Sequence, residues 1–290
     1  MTDPQAARSG ADDYAKHVSP YFSIEDKQTK YKADKLFKRL RRKVGLAIGD
    51  YGMIEQGDRI VVCISGGKDS FAMLDILLSL RRSAPVDFEL IPLHIEPGFP
   101  GTPGGLVENH LKKTGLDYRI LPRPVYKISR EKAAEGQPLC SICSRMRRGF
   151  IYAAAREMGA NKVALGHHKD DAVATFLLNL FYSGIIKSMP AVLRTDDDTL
   201  TVIRPLIYCR DRDLKSLAAY KGYELMPKGL CGYGENEQRA AMMRLIRSWD
   251  RDHPKRMDII FKAMGNVVPS HLFDHQLFDF SKITKGPRVK

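Results

Sequence analysis

Two short runs and a spaced set of cysteines hold most of the reactive side chains in this 290-residue chain. The first run is Ser65-Gly66-Gly67-Lys68-Asp69-Ser70. It follows the apolar stretch Val61-Val62-Cys63-Ile64 and leads into an amphipathic segment that begins at Phe71. A strand, a loop and a helix N-terminus in that order aim backbone N–H groups and the helix dipole at one spot, which suits a phosphate. Glycines let the backbone approach the ligand. Lys68 adds a point charge, and Ser65 and Ser70 add hydroxyl donors. The run is not a Walker A loop, because Val62 stands where that pattern needs its first glycine and Asp69 where it needs Ser or Thr.

The second run begins with a short buried-type strand, Lys162-Val163-Ala164-Leu165, and continues as Gly166-His167-His168-Lys169-Asp170-Asp171 before a helix. Polar residues at the carboxyl end of a parallel strand lie where open α/β sheets bind ligands. Asp170 or Asp171 would also cap the helix, so a capped helix with two surface histidines is the plain alternative. Cys140 and Cys143 form a CxxC followed by Arg145, Arg147 and Arg148. Taken alone it is ambiguous between zinc, a redox pair and an iron–sulfur cluster, and no second CxxC exists to complete a zinc knuckle. Cys231 lies among glycines, in a setting that lets backbone wrap a compact ligand. Cys63 reads as a core residue and Cys209 as a packed thiol.

These residues need an alternating scaffold to position them. Strands are expected at 59–64, 88–95, 118–122 and 162–165, with a short one at 199–203. Helices are expected at 70–82, 106–113, 145–158, 170–182 and 211–220. The Pro- and Gly-rich segment 97–105 reads as a loop. The fold class is therefore α/β, a doubly wound, mainly parallel, Rossmann-like sheet. An N-terminal basic helix precedes it, and a helical C-terminal segment (235–250 and 253–264) follows. The division is a disordered N-terminus at 1–24, a basic helical segment at 25–54, a nucleotide-binding domain at 55–227 and a closing segment at 228–290.

Net charge is +13, from 47 basic and 34 acidic residues, which points to a polyanionic partner. Nine of the basic residues fall between positions 27 and 43, against one acid, Asp34, with Tyr31, Leu36, Phe37, Leu40 and Val44 interleaved at roughly helical spacing. RNA suits that helix better than a membrane surface, given the phosphate loop downstream. No apolar run approaches the roughly 18 residues of a membrane span, and the N-terminus has no apolar secretory region, so a cytoplasmic protein is expected. Five cysteines in that compartment suggest metal or redox chemistry before disulfides.

The run Ser65 to Ser70 resembles the PP-loop, SGGKDS, of the ATPases that cleave ATP between its α- and β-phosphates. The GHHKDD run matches a second segment of that superfamily. That resemblance implies that His167 and its neighbours face the loop across ATP, with Asp171 the favoured carboxylate for Mg²⁺. Many superfamily members continue with Glu-Thr where this chain has Ala174-Thr175. The order of PP-loop, CxxC with Ser144-Arg145-Met146-Arg147-Arg148-Gly149, GHHKDD and one late cysteine is similar to the TtcA family of tRNA 2-thiocytidine synthases. The tail segments Arg244-Leu245-Ile246-Arg247-Ser248-Trp249-Asp250 and Asn266-Val267-Val268-Pro269-Ser270-His271-Leu272 fit it as well.

The resemblance spans roughly residues 30 to 275. It implies a [4Fe–4S] cluster on Cys140, Cys143 and Cys231, ATP and Mg²⁺ as cofactors, and cytidine 32 of tRNA as the target. Lys68, Asp69 and Asp171 are the expected catalytic groups, and Arg147 is read as orienting the base or a phosphate. A cysteine desulfurase is the expected sulfur donor and a homodimer the expected assembly. A thiouridine synthase, a lysidine synthase and a non-catalytic RNA-binding iron–sulfur protein are the alternatives.

Overall fold

The computed structural model describes residues 27–133, 139–231 and 237–283. The segment expected to be disordered, 1–24, lies outside them, as do Gly136-Gln137-Pro138 before the CxxC and Gly232-Tyr233-Gly234 after Cys231. Helix α1 (Lys27–Asp50) buries Ala33, Leu36, Leu40, Val44 and Ala47. Those positions are three and four apart and line one face; Lys30, Lys35, Lys38, Arg39 and Arg42 lie exposed. The helix ends earlier than position 54 because Gly52, at φ 55°, turns the chain away.

Six strands follow: β1 (Asp58–Cys63), β2 (Phe88–Glu96), β3 (Arg119–Pro122), β4 (Lys162–Ala164), β5 (Val192–Arg194) and β6 (Thr201–Ile203). They form one sheet in the order β3-β2-β1-β4-β6-β5. β1 pairs in parallel with both β2 and β4, β2 with β3 and β4 with β6. Edge strand β5 runs antiparallel to β6. The chain winds outward from β1 to β3, then crosses back to place β4 on the other side of β1. That reversal opens a crevice at the carboxyl ends of β1 and β4.

The connecting helices are α2 (Lys68–Arg81), α3 (Leu106–Lys112), α4 (Val125–Lys132), α5 (Leu139–Glu157), α6 (Lys169–Leu178) and α7 (Asp211–Lys221). Val61, Ile91, Leu93 and Ile95 join Ile151, Ala154 and Ala155 of α5 in one core cluster. Ile60 and Val62 are equally buried and alternate to the opposite face, where α2 packs on β1 and β2 and is covered by α1 and α7. α2 is buried almost all round, from Ser70 to Leu78, as a helix between two layers must be.

The chain divides into two compact units, Met1–Met243 and Arg244–Lys290. The helix α8 (Glu237–Asp252) runs through the division. The second unit contains α9 (Arg256–Met264) and two short 3₁₀ turns. No helix among the described residues is long and apolar enough to cross a membrane.

The expected strands and helices of the nucleotide-binding region occur within a few residues of their expected bounds, with four differences. α5 begins at Leu139 rather than 145, so both CxxC cysteines are helical. α4 and β5 have no counterpart among the expected elements; each is too short for periodicity to register. α6 stops at Leu178 and continues as a π-turn, Asn179–Ser183, closed by Gly184 at φ 62°. The N-cap of α6 is His168, not Asp170 or Asp171.

Two glycines let the crevice walls close. Gly66 has φ 79°, and a Cβ there would stand 3.0 Å from Met226 Cβ and 3.2 Å from Val107 Cγ2. Its carbonyl accepts the Met226 N–H at 2.9 Å. A Cβ on Gly166 would meet the Ser70 nitrogen at 3.3 Å, so the β4 loop lies directly on the start of α2. Gly66→Ala is therefore expected to lower stability by about 1–3 kcal/mol from left-handed backbone strain, read as a lower urea midpoint. Nucleotide binding by calorimetry should weaken by about tenfold or more, since ~1.4 kcal/mol of lost fit already has that effect.

Candidate active site

The loop after β1 is braced by hydrogen bonds within itself. The Ser70 hydroxyl donates to the Gly67 carbonyl at 2.8 Å and lies 3.1 Å from the Ser65 nitrogen, whose N–H it accepts. The Gly67 N–H donates to Ser65 Oγ at 3.2 Å. Ser70 is buried, so its hydroxyl shapes the loop from beneath. Gly67 caps α2 without a side-chain hydrogen bond, which leaves the first N–H groups of α2 free for an anion.

Lys68 is held between two carboxylates. Its Nζ lies 2.6 Å from Asp69 Oδ1 and 2.8 Å from Asp211 Oδ1. Burial opposes the ammonium charge, but the two carboxylates outweigh it and hold the pKa above its ordinary value. Asp211 opens α7 and also receives Lys215 on Oδ2 at 2.5 Å. Burial acts against its charge too; hydrogen bonds from Lys215 and Lys68 win and keep the carboxyl well below the usual range.

The GHHKDD run forms the facing wall. Asp171 Oδ2 accepts the His168 N–H at 3.0 Å, and Asp171 Oδ1 pairs with Arg239 at 2.7 Å. Asp170 is buried against Arg210, which is itself 2% exposed. It receives Arg210 Nε and Nη2 at 3.2 Å and the Asp211 N–H at 2.8 Å. That pair fixes the position from which Asp211 projects. His168 is buried, with Nε2 3.4 Å from Asp171, 3.6 Å from Asp211 and 3.9 Å from Asp69. His167 is pushed down to about 4, mainly by burial and secondarily by Arg204 and Arg239, against the pull of Asp171. It is thus neutral at pH 7.

All five cysteines are thiols, with no disulfide among them. Cys140 is exposed in the first turn of α5, and Cys143 and Cys231 are half-buried. Burial raises the Cys143 thiol, and charge on Cys140 and Cys231 raises it further, while Arg147 and a hydrogen bond with Ser129 lower it. Cys143 thus feels the charge of both Cys140 and Cys231. Cys63 ends β1; burial pushes it up to about 12, with Arg147 opposing. Arg147 thus acts on the charge of both Cys63 and Cys143. Cys209 is fully buried and pushed up to about 12 by burial, as a packed thiol would be.

Two members of the site are not marked as such by the sequence: Asp211 and Arg210. Locally, Asp211 is marked only as the acidic first residue of a helix, which does not distinguish it from any residue that favours a helix N-terminus. Outside the crevice, a cleft of about 610 Å³ lies between α1 and α7, lined by Lys32, Lys35, Leu36, Lys38, Arg39 and Arg42 opposite Asp213, Ser216 and Tyr220.

The chain matches the PP-loop domain family over residues 27–228. Among curated proteins, it is 49% identical over 263 residues to the tRNA-cytidine(32) 2-sulfurtransferase of Klebsiella pneumoniae, covering 91% of this chain and 85% of that one. It is 49% identical over 260 residues to the enzyme of the same name from Aeromonas hydrophila, covering 90% and 86%. Among solved structures, the fold resembles that of a U34-tRNA thiolase from Methanococcus maripaludis, described with its [4Fe-4S] cluster. The TM-score is 0.67 at 19% identity, over 83% of this chain and 80% of that one. With a PP-loop domain over most of its length and near-half identity to these enzymes over about nine-tenths of it, the chain belongs to the PP-loop family and, within it, to the tRNA-cytidine(32) 2-sulfurtransferases.

Proposed function

We propose that this protein uses ATP to exchange the C2 oxygen of cytidine 32 in tRNA for sulfur. The observation that carries this reading is the adjacency of two chemistries at one strand end. Cys63 closes the strand that leads into the phosphate loop, and Cys143 packs against the same core cluster as Cys63. The C2 oxygen is a poor leaving group. Its attack on the α-phosphorus of ATP forms an O–P bond and releases pyrophosphate. A sulfur nucleophile then adds at C2, and AMP departs with the former oxygen.

The free N–H groups of α2 and the Lys68 ammonium bind the phosphates and offset charge that develops on the departing pyrophosphate. Neutral His167 offers a hydrogen bond to nucleotide or base without adding charge. Arg147 orients the base beside the thiols through its planar fork. Cys140, Cys143 and Cys231 suit a [4Fe–4S] cluster: they are soft donors, none is tied up in a disulfide, and Cys143 feels the charge of the other two. When bound, a cluster on three thiolates keeps one iron position open for sulfur. Mg²⁺ accompanies the nucleotide, a cysteine desulfurase suits as sulfur donor, and a homodimer in the cytoplasm is the assembly that sedimentation should find.

Anaerobically reconstituted protein is expected to bind about four irons and show the broad visible absorption of such a centre. Cys140→Ala, Cys143→Ala and Cys231→Ala should each lose it, and Cys209→Ala should keep it. One zinc and no iron would overturn the assignment. Lys68→Ala should abolish tRNA-dependent pyrophosphate release with the iron content unchanged, whereas Cys231→Ala should lose thionucleoside formation first. Thiolation without ATP, or normal thiolation by Lys68→Ala, would contradict the order of steps.

The basic face of α1 is read as a tRNA-binding surface. Arg41 faces Ser83, so the surface is tested by Lys35→Ala, Lys38→Ala and Arg42→Ala together. Binding should weaken, and its log–log salt slope should flatten by about one unit for each tRNA phosphate that is no longer neutralised. Unchanged affinity at low and moderate salt would assign the helix another purpose.

A further inference from the structure

We propose that Met226 is a positioning residue that couples the two steps of the reaction: its N–H holds the Gly66 carbonyl, so that a nucleotide on the phosphate loop resets the segment ending in Cys231. The inference rests on the readings that residues 65–70 bind ATP and that Cys231 serves the sulfur step. Two anchors set the course of the chain after α7. At the first, Gly222 closes the helix at φ 59°, and the Tyr223 hydroxyl donates to Asp75 Oδ2 at 2.7 Å. The Tyr223 ring stands edge-on to Phe71 and to His110, which are stacked with their centroids 3.9 Å apart. Asp75 and Phe71 are buried residues of α2, the helix that the phosphate loop leads into. At the second anchor, the Met226 N–H donates to the Gly66 carbonyl at 2.9 Å. The first anchor fastens the segment to the helix, and the second to a peptide unit of the phosphate loop itself.

That peptide is bonded on both sides. Its C=O, on Gly66, accepts from Met226, and its N–H, on Gly67, donates to Ser65 Oγ at 3.2 Å. A peptide unit is planar, so the two groups turn together. Gly67 is the N-cap of α2, and N–H groups at a helix start are those that a phosphate recruits. The Ser65 hydroxyl holds this N–H at the long end of the hydrogen-bond range. A phosphate oxygen makes a charge-assisted bond, which is shorter and about twice as strong. A phosphate that takes the Gly67 N–H from Ser65 therefore turns the plane, and the Gly66 carbonyl moves with it.

The movement has a short way to travel. Met226 and Cys231 are five positions apart, a stretch that spans at most about 18 Å when fully extended. A turn that includes Gly229 at φ 76° shortens it further. The Met226 side chain lies against Gly66 as well: a Cβ on that glycine would stand 3.0 Å from Met226 Cβ and 3.4 Å from its Cε. Backbone and side chain thus both follow the glycine. The coupling is reciprocal, so whatever fixes Cys231 also changes how the loop holds phosphate.

The test uses full-length protein and α,β-methylene ATP, an analogue that cannot release pyrophosphate. Before reconstitution with iron and sulfide, alkylation of each cysteine by iodoacetamide is followed by mass spectrometry. After anaerobic reconstitution, loss of iron to a ferrous chelator is followed by absorbance. In the wild type the analogue should change the Cys231 alkylation rate and the iron-loss rate by about fivefold, a typical coupling between two sites. Met226→Pro has no N–H to donate, and its ratio of rates with and without analogue should fall to about one while calorimetry still detects binding of the analogue. Met226→Ala keeps the N–H and should keep the ratio. Insertion of two glycines after Gly229 lengthens the connection and should uncouple Cys231 in the same way, so it decides if melting curves show that Met226→Pro has lost its fold. A wild-type ratio of one, a full ratio in either folded uncoupling variant, or loss of the ratio in Met226→Ala refutes the role of the Met226 N–H. If the analogue does not bind the wild type, the ATP reading fails and the coupling with it. If reconstituted wild type holds no iron, the cluster reading fails and the alkylation rates alone decide the coupling.

Discussion

The reversal of strand order beside β1 is the constraint from which the rest of this site follows. β1 is flanked by β2, which comes next in the chain, and by β4, which comes about a hundred residues later. Parallel pairing brings all their carboxyl ends to one edge. The phosphate loop leaves β1, the GHHKDD run leaves β4, and Asp211 follows β6 at the neighbouring position. No two of these segments are close in sequence. The sheet order makes them neighbours, and Gly166 lets the loop after β4 lie directly against the start of α2.

A crevice built this way gathers charge, and the structure manages it by pairing. Removing one partner from a buried ion pair costs on the order of 3–5 kcal/mol because the other charge stays buried. Asp170 and Arg210, 6% and 2% exposed at the side chain, are in that position. Their role is geometric, since Asp170 also receives the N–H of Asp211. Lys162 plays a similar part at the amino end of β4, bridging Asp58 at 2.7 Å and Glu55 at 3.0 Å. Lys68 is different. Its partners lie in the first turns of two helices, at the mouth of the crevice, where an incoming phosphate could compete for it.

The segments that can be read in the sequence are those whose function is encoded by contiguous residues. Residues 65–70, 140–143 and 166–171 each carry their chemistry in a few adjacent positions, and the alternation of strands and helices around them fixes the fold. Asp211 is invisible as a site residue because its meaning comes from β6 lying beside β4, a pairing that no local pattern announces. Met226 against Gly66 and Arg239 against Asp171 are long-range in the same way. The early start of α5 is hidden because a cysteine pair carries no helix-start signal. β5 is hidden because three residues on a sheet edge give no alternation to detect.

The first turn of α7 serves two surfaces at once. Asp211 faces Lys68 in the crevice, and Asp213, two residues on, accepts Arg39 at 2.8 Å and Lys43 at 3.4 Å from the basic helix. An acidic first turn is what a helix N-terminus favours, so both interactions agree with the local preference of α7. A tRNA phosphate that engages Arg39 would compete with Asp213 and alter the charge felt by that same turn. The magnitude limits what this can do. Arg39 is half exposed, and exposed pairs are worth about 0–1 kcal/mol, a few-fold in any equilibrium. Binding of RNA to the basic face can therefore bias the position of Asp211, and through it Lys68, but cannot act as an on–off switch. The larger force on Lys68 is the triphosphate itself, which brings several charges to a site where, among the described residues, two carboxylates hold the ammonium.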